Sequence, residues 1–145
     1  MKNLVFLSAL FTLIVFSSCK KCDASNSTDG IIIEDAIVKV LSVDHNGQLF
    51  ISDGSEINAS IQMSLDGGVT YTDVDYSRYS VFGLRTTSSC SSGYHRSVSV
   101  DTAKAIANYT ITINECSTCE HTVTTDNWVL TSKVPGNYTA VFNIK

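Results

Sequence analysis

The sequence from Ile31 to Lys145 predicts an all-β domain. The expected form is an antiparallel β-sandwich, immunoglobulin-like in general character, with a small β-barrel as the alternative. Three observations predict it. Val, Ile, Thr, Tyr and Phe dominate the stretch, and β-branched and aromatic side chains suit a pleated, half-buried surface. Short apolar runs recur with turn residues between them, as in sandwiches and barrels. Only "TAKAIA", Thr102 to Ala107, looks helical, and it is too short to organise a fold.

The expected strands are 31–43, 48–52, 57–65, 69–75, 79–84, 95–100, 108–114, 121–125, 127–131 and 138–144. Asn46-Gly47 separates the first two and Asp53-Gly54 the next two. Both dipeptides suit tight hairpin turns that need positive φ. Ser64 to Tyr71, "SLDGGVTY", turns the third strand into the fourth. Val134-Pro135-Gly136-Asn137 suits a type II turn, with Pro first and Gly at the positive-φ position. In the last strand Tyr138, Ala140, Phe142 and Ile144 share one face, the alternation of a half-buried strand.

The chain before this domain reads as an address. Lys2 gives a positive start, Leu4 to Phe16 is an apolar run broken only by Ser8 and Thr12, and Ser17 and Ser18 are small. That is the layout of a secretory signal peptide over 1–18. The run is too short to span a bilayer core, which takes about 20 residues. Phe16-Ser17-Ser18-Cys19 resembles the lipobox of bacterial lipoproteins, with Phe16 where Leu is usual. The resemblance implies cleavage before Cys19 and lipid on Cys19. Several acyl chains on one cysteine give stable attachment without a spanning helix. Lys20, rather than Asp, follows the cysteine, which by the same resemblance implies the outer membrane, on its periplasmic or cell-surface face. Residues 19–30 then read as a lipidated flexible tether of small and polar residues, and 31–145 as one β domain.

Cleavage removes Lys2 and takes the formal charge from −4 to −5. This acidic balance, with no basic run beyond Lys20-Lys21, argues against a nucleic-acid partner. The expected partners are the membrane, through the lipid, and a protein or glycan ligand. Tyr76, Tyr79 and Tyr94, in expected loops, offer rings that stack on sugars or peptides.

"SLDGGVTY" resembles the Asp-box of sialidase propellers, and "MSLDGGVTYTD…SVFGL" resembles a segment of repeats in bacterial surface adhesins. The first resemblance implies that Asp66 caps a hairpin, Gly68 allows its backbone, Thr70 completes the turn and Tyr71 packs beneath. The motif is read as structural.

Four cysteines follow the anchor: Cys22, Cys90, Cys116 and Cys119. Export to an oxidising compartment favours disulfides. Cys90 is expected to bond Cys116 or Cys119, pinning a flexible loop to a hairpin tip, with a Cys116–Cys119 bond as the alternative. The other reading of Cys90, Cys116, Cys119 and His121 is a metal site, because Cys-x-x-Cys spacing suits zinc. Asp73 and Asp75 are expected on one strand face, solvated or around a cation.

No Gly-x-Ser-x-Gly elbow, His-Glu-x-x-His pair or phosphate-cradling loop occurs. His45 falls at a turn and His95 beside Arg96 on a strand. The sequence therefore predicts a non-enzymatic protein without a cofactor: a binding or envelope-structural domain. An inhibitor or immunity-type lipoprotein and a metal-binding envelope protein are the alternatives. Asp101-Thr102-Ala103 resembles the short motif on which some Gram-negative bacteria O-glycosylate exported proteins. It marks Thr102, and Asp101 is equally suited to cap the turn.

Overall fold

A computed structural model describes residues 25–42, 47–56, 60–116 and 121–145. Cys19, Cys22, His45, Asn46 and Cys119 lie outside the described residues, as do the expected signal peptide and the first half of the expected tether, 19–24.

Ten strands are named: β1 (Ser27–Gly30), β2 (Ile37–Ser42), β3 (Gln48–Ile51), β4 (Ser60–Ser64), β5 (Thr72–Asp73), β6 (Tyr79–Ser89), β7 (Ser92–Asp101), β8 (Ile106–Glu115), β9 (Thr122–Ser132) and β10 (Thr139–Ile144). They form three sheets, in the orders β1-β7-β8-β10, β3-β6-β9 and β2-β4-β5. The all-β sandwich is present.

Strand alternation explains how the layers stack. Phe82, Leu84 and Val129 pack against Val98, Tyr109 and Ile111 of the four-stranded sheet. Val81 and Leu130 face the other way and pack against Ile61 and Met63 of the β2-β4-β5 sheet. The β3-β6-β9 sheet thus lies between the other two. The first half of β6, from Ser80 to Leu84, is buried without a break, whereas Arg85 and Thr87 are exposed. A strand covered on both faces has no solvent side to mark with polar residues. Gly83 is the position where this sheet accepts Trp128 from the paired strand β9; a Cβ on Gly83 would overlap the indole ring.

The four-stranded sheet departs from the antiparallel expectation at both edges. β1 runs parallel to β7, and β10 runs parallel to β8. After Gly30 the chain leaves that sheet and crosses to the other: Ile31 N donates to Val98 O (3.0 Å), while Ile33 N donates to Leu130 O (2.9 Å). Residues 27–30, assigned to the tether on composition, are therefore part of the domain. Composition misleads here because β1 draws its stability from backbone bonds to β7 rather than from apolar side chains.

Several local expectations are also corrected. "TAKAIA" is no helix: 102–105 form a turn, Ala105 takes a positive φ of 52°, and Ile106 already belongs to β8. A left-handed residue ends a helical run. The two expected strands 121–125 and 127–131 are the single strand β9, and Asp126 within it pairs with Arg85 at 2.7 Å. Gly54 opens a short 3-10 turn rather than a hairpin, with Asp53 accepting from Ser55 N at 2.9 Å. The last turn is shifted by one residue: Tyr138 N donates to Pro135 O at 3.1 Å, so Gly136 and Asn137 occupy its centre. β8 and β9 belong to different sheets and so are not the two arms of a hairpin; residues 117–119 between them lie outside the described residues.

Candidate functional site

Asp66 organises a turn that borders two surface recesses. Its Oδ1 accepts from the Ser64 hydroxyl (2.6 Å), Val69 N (3.1 Å) and Thr70 N (2.9 Å). Ser64 Oγ in turn accepts from Gly68 N at 2.9 Å. Gly68 takes a φ of 93°, a conformation that favours glycine, and the Tyr71 hydroxyl lies against it. Lys39 sits over the Tyr71 ring at 5.4 Å. One side of this turn borders a groove of about 520 Å³ lined by Asp35, Ala36, Ile37, Leu65, Asp66 and Gly67. A smaller recess of about 230 Å³ is lined by Met63, Leu65, Asp66, Thr70 and Thr72. Leu65 lines both grooves at 50 % exposure, and Val69 stands 84 % exposed beside them. The arrangement offers an apolar ridge next to a fixed negative charge.

The hydrogen bonds from Ser64 and from the Thr70 backbone hold the Asp66 carboxyl down at about 2. The unfolded chain titrates near pH 4. A depressed folded-state pKa contributes stability that is fully present above the unfolded value and is lost as pH falls through the folded one. Asp66→Asn should therefore flatten the fall in stability between about pH 4 and pH 2, measured by thermal melts across that range. An unchanged acid profile would mean that this turn does not couple to unfolding. The Asp53 and Asp75 carboxyls are lowered in the same sense by bonds to Ser55 and Ser77.

The other expected site residues separate. Asp73 ends the short β5, whereas Asp75 is drawn into the next turn, accepting from Ser77 N at 3.0 Å and Ser77 Oγ at 2.6 Å. Among the described residues no three His, Cys, Asp or Glu side chains gather into a metal-holding group. His121 is exposed at the entry to β9. His95 Nδ1 lies 2.8 Å from Ser27 Oγ, joining β1 to β7. Tyr94 is not a loop aromatic: it is 8 % exposed, and its hydroxyl bonds Ser88 Oγ at 2.7 Å. Tyr76 is partly buried, which raises its phenol pKa. At Asp101 the capping reading is observed, with Oδ1 accepting from Ala103 N and Lys104 N, both at 3.1 Å. Thr102 is exposed on that turn.

Sequence reasoning missed a polar knot between the two larger sheets. Arg96 donates from Nε (3.0 Å) and Nη2 (2.7 Å) to Asn127 Oδ1, and its guanidinium lies 5.3 Å from the Tyr94 ring centre. Asn127 Nδ2 donates to Leu84 O, Thr86 Oγ1 and Thr125 O. Burial lowers the Arg96 pKa and raises that of Tyr109. The even spacing of Tyr94, Arg96 and Val98 was the available signal, since it places Arg96 on the core face of β7.

The chain matches no protein-family model, no curated protein and no solved structure.

Proposed function

We propose that the protein is an exported, lipid-anchored β-sandwich that displays a non-enzymatic binding or envelope-structural domain at the outer membrane. The observation that supports this reading is the placement of β1, through which the expected anchor segment enters the domain. Ser27 is level with His95 in the four-stranded sheet. At the same end, Lys145 exchanges backbone bonds with Ile111 and Ile113. The end bearing Ser25–Ser27, Lys145 and the 89–92 connection is thus one pole, and the 101–105 and 133–138 turns form the other. A lipid on Cys19 sets the first pole against the bilayer and presents the second away from it.

Lysis and fractionation test the anchor. The natural chain is expected in the outer-membrane pellet and the Cys19→Ala variant in the soluble fraction. A variant that still pellets would refute attachment at Cys19. The groove beside Asp66 is the proposed ligand contact, and its apolar ridge suits a protein partner, the inhibitor-type reading included. Thr102, exposed at the outward pole, is the proposed O-glycan site. The intact mass of protein from its native host is expected to exceed the lipidated mass by a glycan that Thr102→Ala abolishes.

A further inference from the structure

We propose that the groove between the 33–36 turn and the Asp66 turn receives a basic segment of a partner protein, an Arg or Lys flanked by Leu, Ile or Val. The proposal rests on the reading of that groove as the ligand contact and names the chemistry it takes. Strand pairing builds the groove. Ile37 opens β2 opposite Ser64, the last residue of β4. The turn before Ile37 and the turn after Ser64 therefore meet at one end of the sheet. The Ile37 side chain lies against Gly68 of the second turn. Ala36, Ile37 and Leu65 supply apolar walls to the space of about 520 Å³, and Asp35 and Asp66 supply two carboxylates. Ile37 and Leu65 are exposed, as is Val69 beside them. Neighbouring apolar side chains left in water favour a partner that covers them.

The two carboxylates are fixed in different ways and neither is neutralised. The bonds that the turn makes to Asp66 all fall on Oδ1, so the carboxylate keeps acceptor capacity on Oδ2 for a donor from outside. Asp35 takes a positive φ of 60°, a left-handed conformation that Asp and Asn tolerate better than other side chains do. The ion pairs among the described residues are Arg85–Asp126 and Lys104–Asp101, and neither involves the groove. Lys39 shares the outward face of β2 with Ile37 but lies over the Tyr71 ring instead.

Charge selects the occupant. A second copy of this chain, itself of formal charge −4, brings the same carboxylates and meets like charge. An acidic segment is repelled in the same way. A wholly apolar segment desolvates the two carboxylates and gives them no partner. An Arg or Lys meets both demands, because its aliphatic stem lies along Ile37 and Leu65 while its cationic head reaches the carboxylates. The occupant is a protein segment rather than a small cation, because exposed apolar surface also lies outside the groove at Val69. The side chains flanking the cation cover it.

Random peptides displayed on phage, selected on the full chain in detergent, test the proposal. The selected peptides are expected to share an Arg or Lys with apolar neighbours. Asp35→Asn removes one charge and keeps a residue that accepts the left-handed backbone. Leu65→Ser removes one exposed wall. Each is expected to weaken the best peptide by about three- to tenfold while leaving the thermal melt in place. A second measurement needs no variant: the amide shifts that this peptide causes in the natural chain should centre on Ile37 and Gly67. Acidic or wholly apolar peptides that shift these amides and weaken with Leu65→Ser retain the groove as the contact and overturn the basic chemistry. Peptides indifferent to both variants, with shifts centred elsewhere, overturn the groove reading and the proposal with it. No enrichment on the natural chain over Leu65→Ser overturns both as well.

Discussion

Replacing Phe82 by Ala is expected to cost about 3–5 kcal/mol, the usual range for deleting a buried aromatic side chain. Phe82 is fully buried and carries the packing between the two larger sheets. It stacks on Phe50 at 4.6 Å, and meets Tyr109 edge-on at 5.9 Å and Phe142 at 6.4 Å. Phe50 belongs to its own sheet, while Tyr109 and Phe142 belong to the opposite one. The truncation therefore removes apolar contact on two sides and leaves a cavity that strand backbones close poorly. A small domain is stable by only about 5–15 kcal/mol, so the variant loses a large share of its margin. Urea unfolding should show a lower midpoint with an unchanged slope. A loss under about 1 kcal/mol would mean that the two sheets separate without exposing this cluster.

Asn127→Ala is expected to cost about 2–4 kcal/mol, because it strips a half-buried cation of its acceptor. Asn127 is 1 % exposed, and its Oδ1 receives both Arg96 bonds. Hydrogen bonds to charged groups contribute about 1.5–3 kcal/mol, and a buried group left unmatched adds its desolvation cost. The companion test is Arg96→Met with Asn127 intact. Removing the charge together with its need for an acceptor should cost less than removing the acceptor alone. In the double variant the two effects should fall short of additivity by at least about 1 kcal/mol, as they do for residues in direct contact. Additive losses would show that Arg96 finds its solvation elsewhere.

The sequence by itself determined what depends on local chemistry. Strand content and the capped turns at Asp66 and Asp101 each follow from a few neighbouring residues, whereas the expected apolar face of β10 ends before Ile144, which is exposed. Turn capping and pleat direction involve bonds spanning four residues or fewer, so composition and spacing carry them. Even there a one-residue slip occurred at Pro135, because Tyr138 N chose the partner and no propensity separates the two positions.

Only the tertiary structure decided which strands pair. β1 looked like tether because its side chains are exposed, and its stabilising bonds reach β7 some 68 residues away. The Arg96–Asn127 contact joins positions 31 residues apart, and nothing local marks Asn127 as the acceptor of a half-buried charge. The burial of β6 on both faces likewise required a third sheet to be in place. Pairing is a choice among many backbone edges with the same hydrogen-bonding groups, and the side chains that select one edge act only after the sheets have come together.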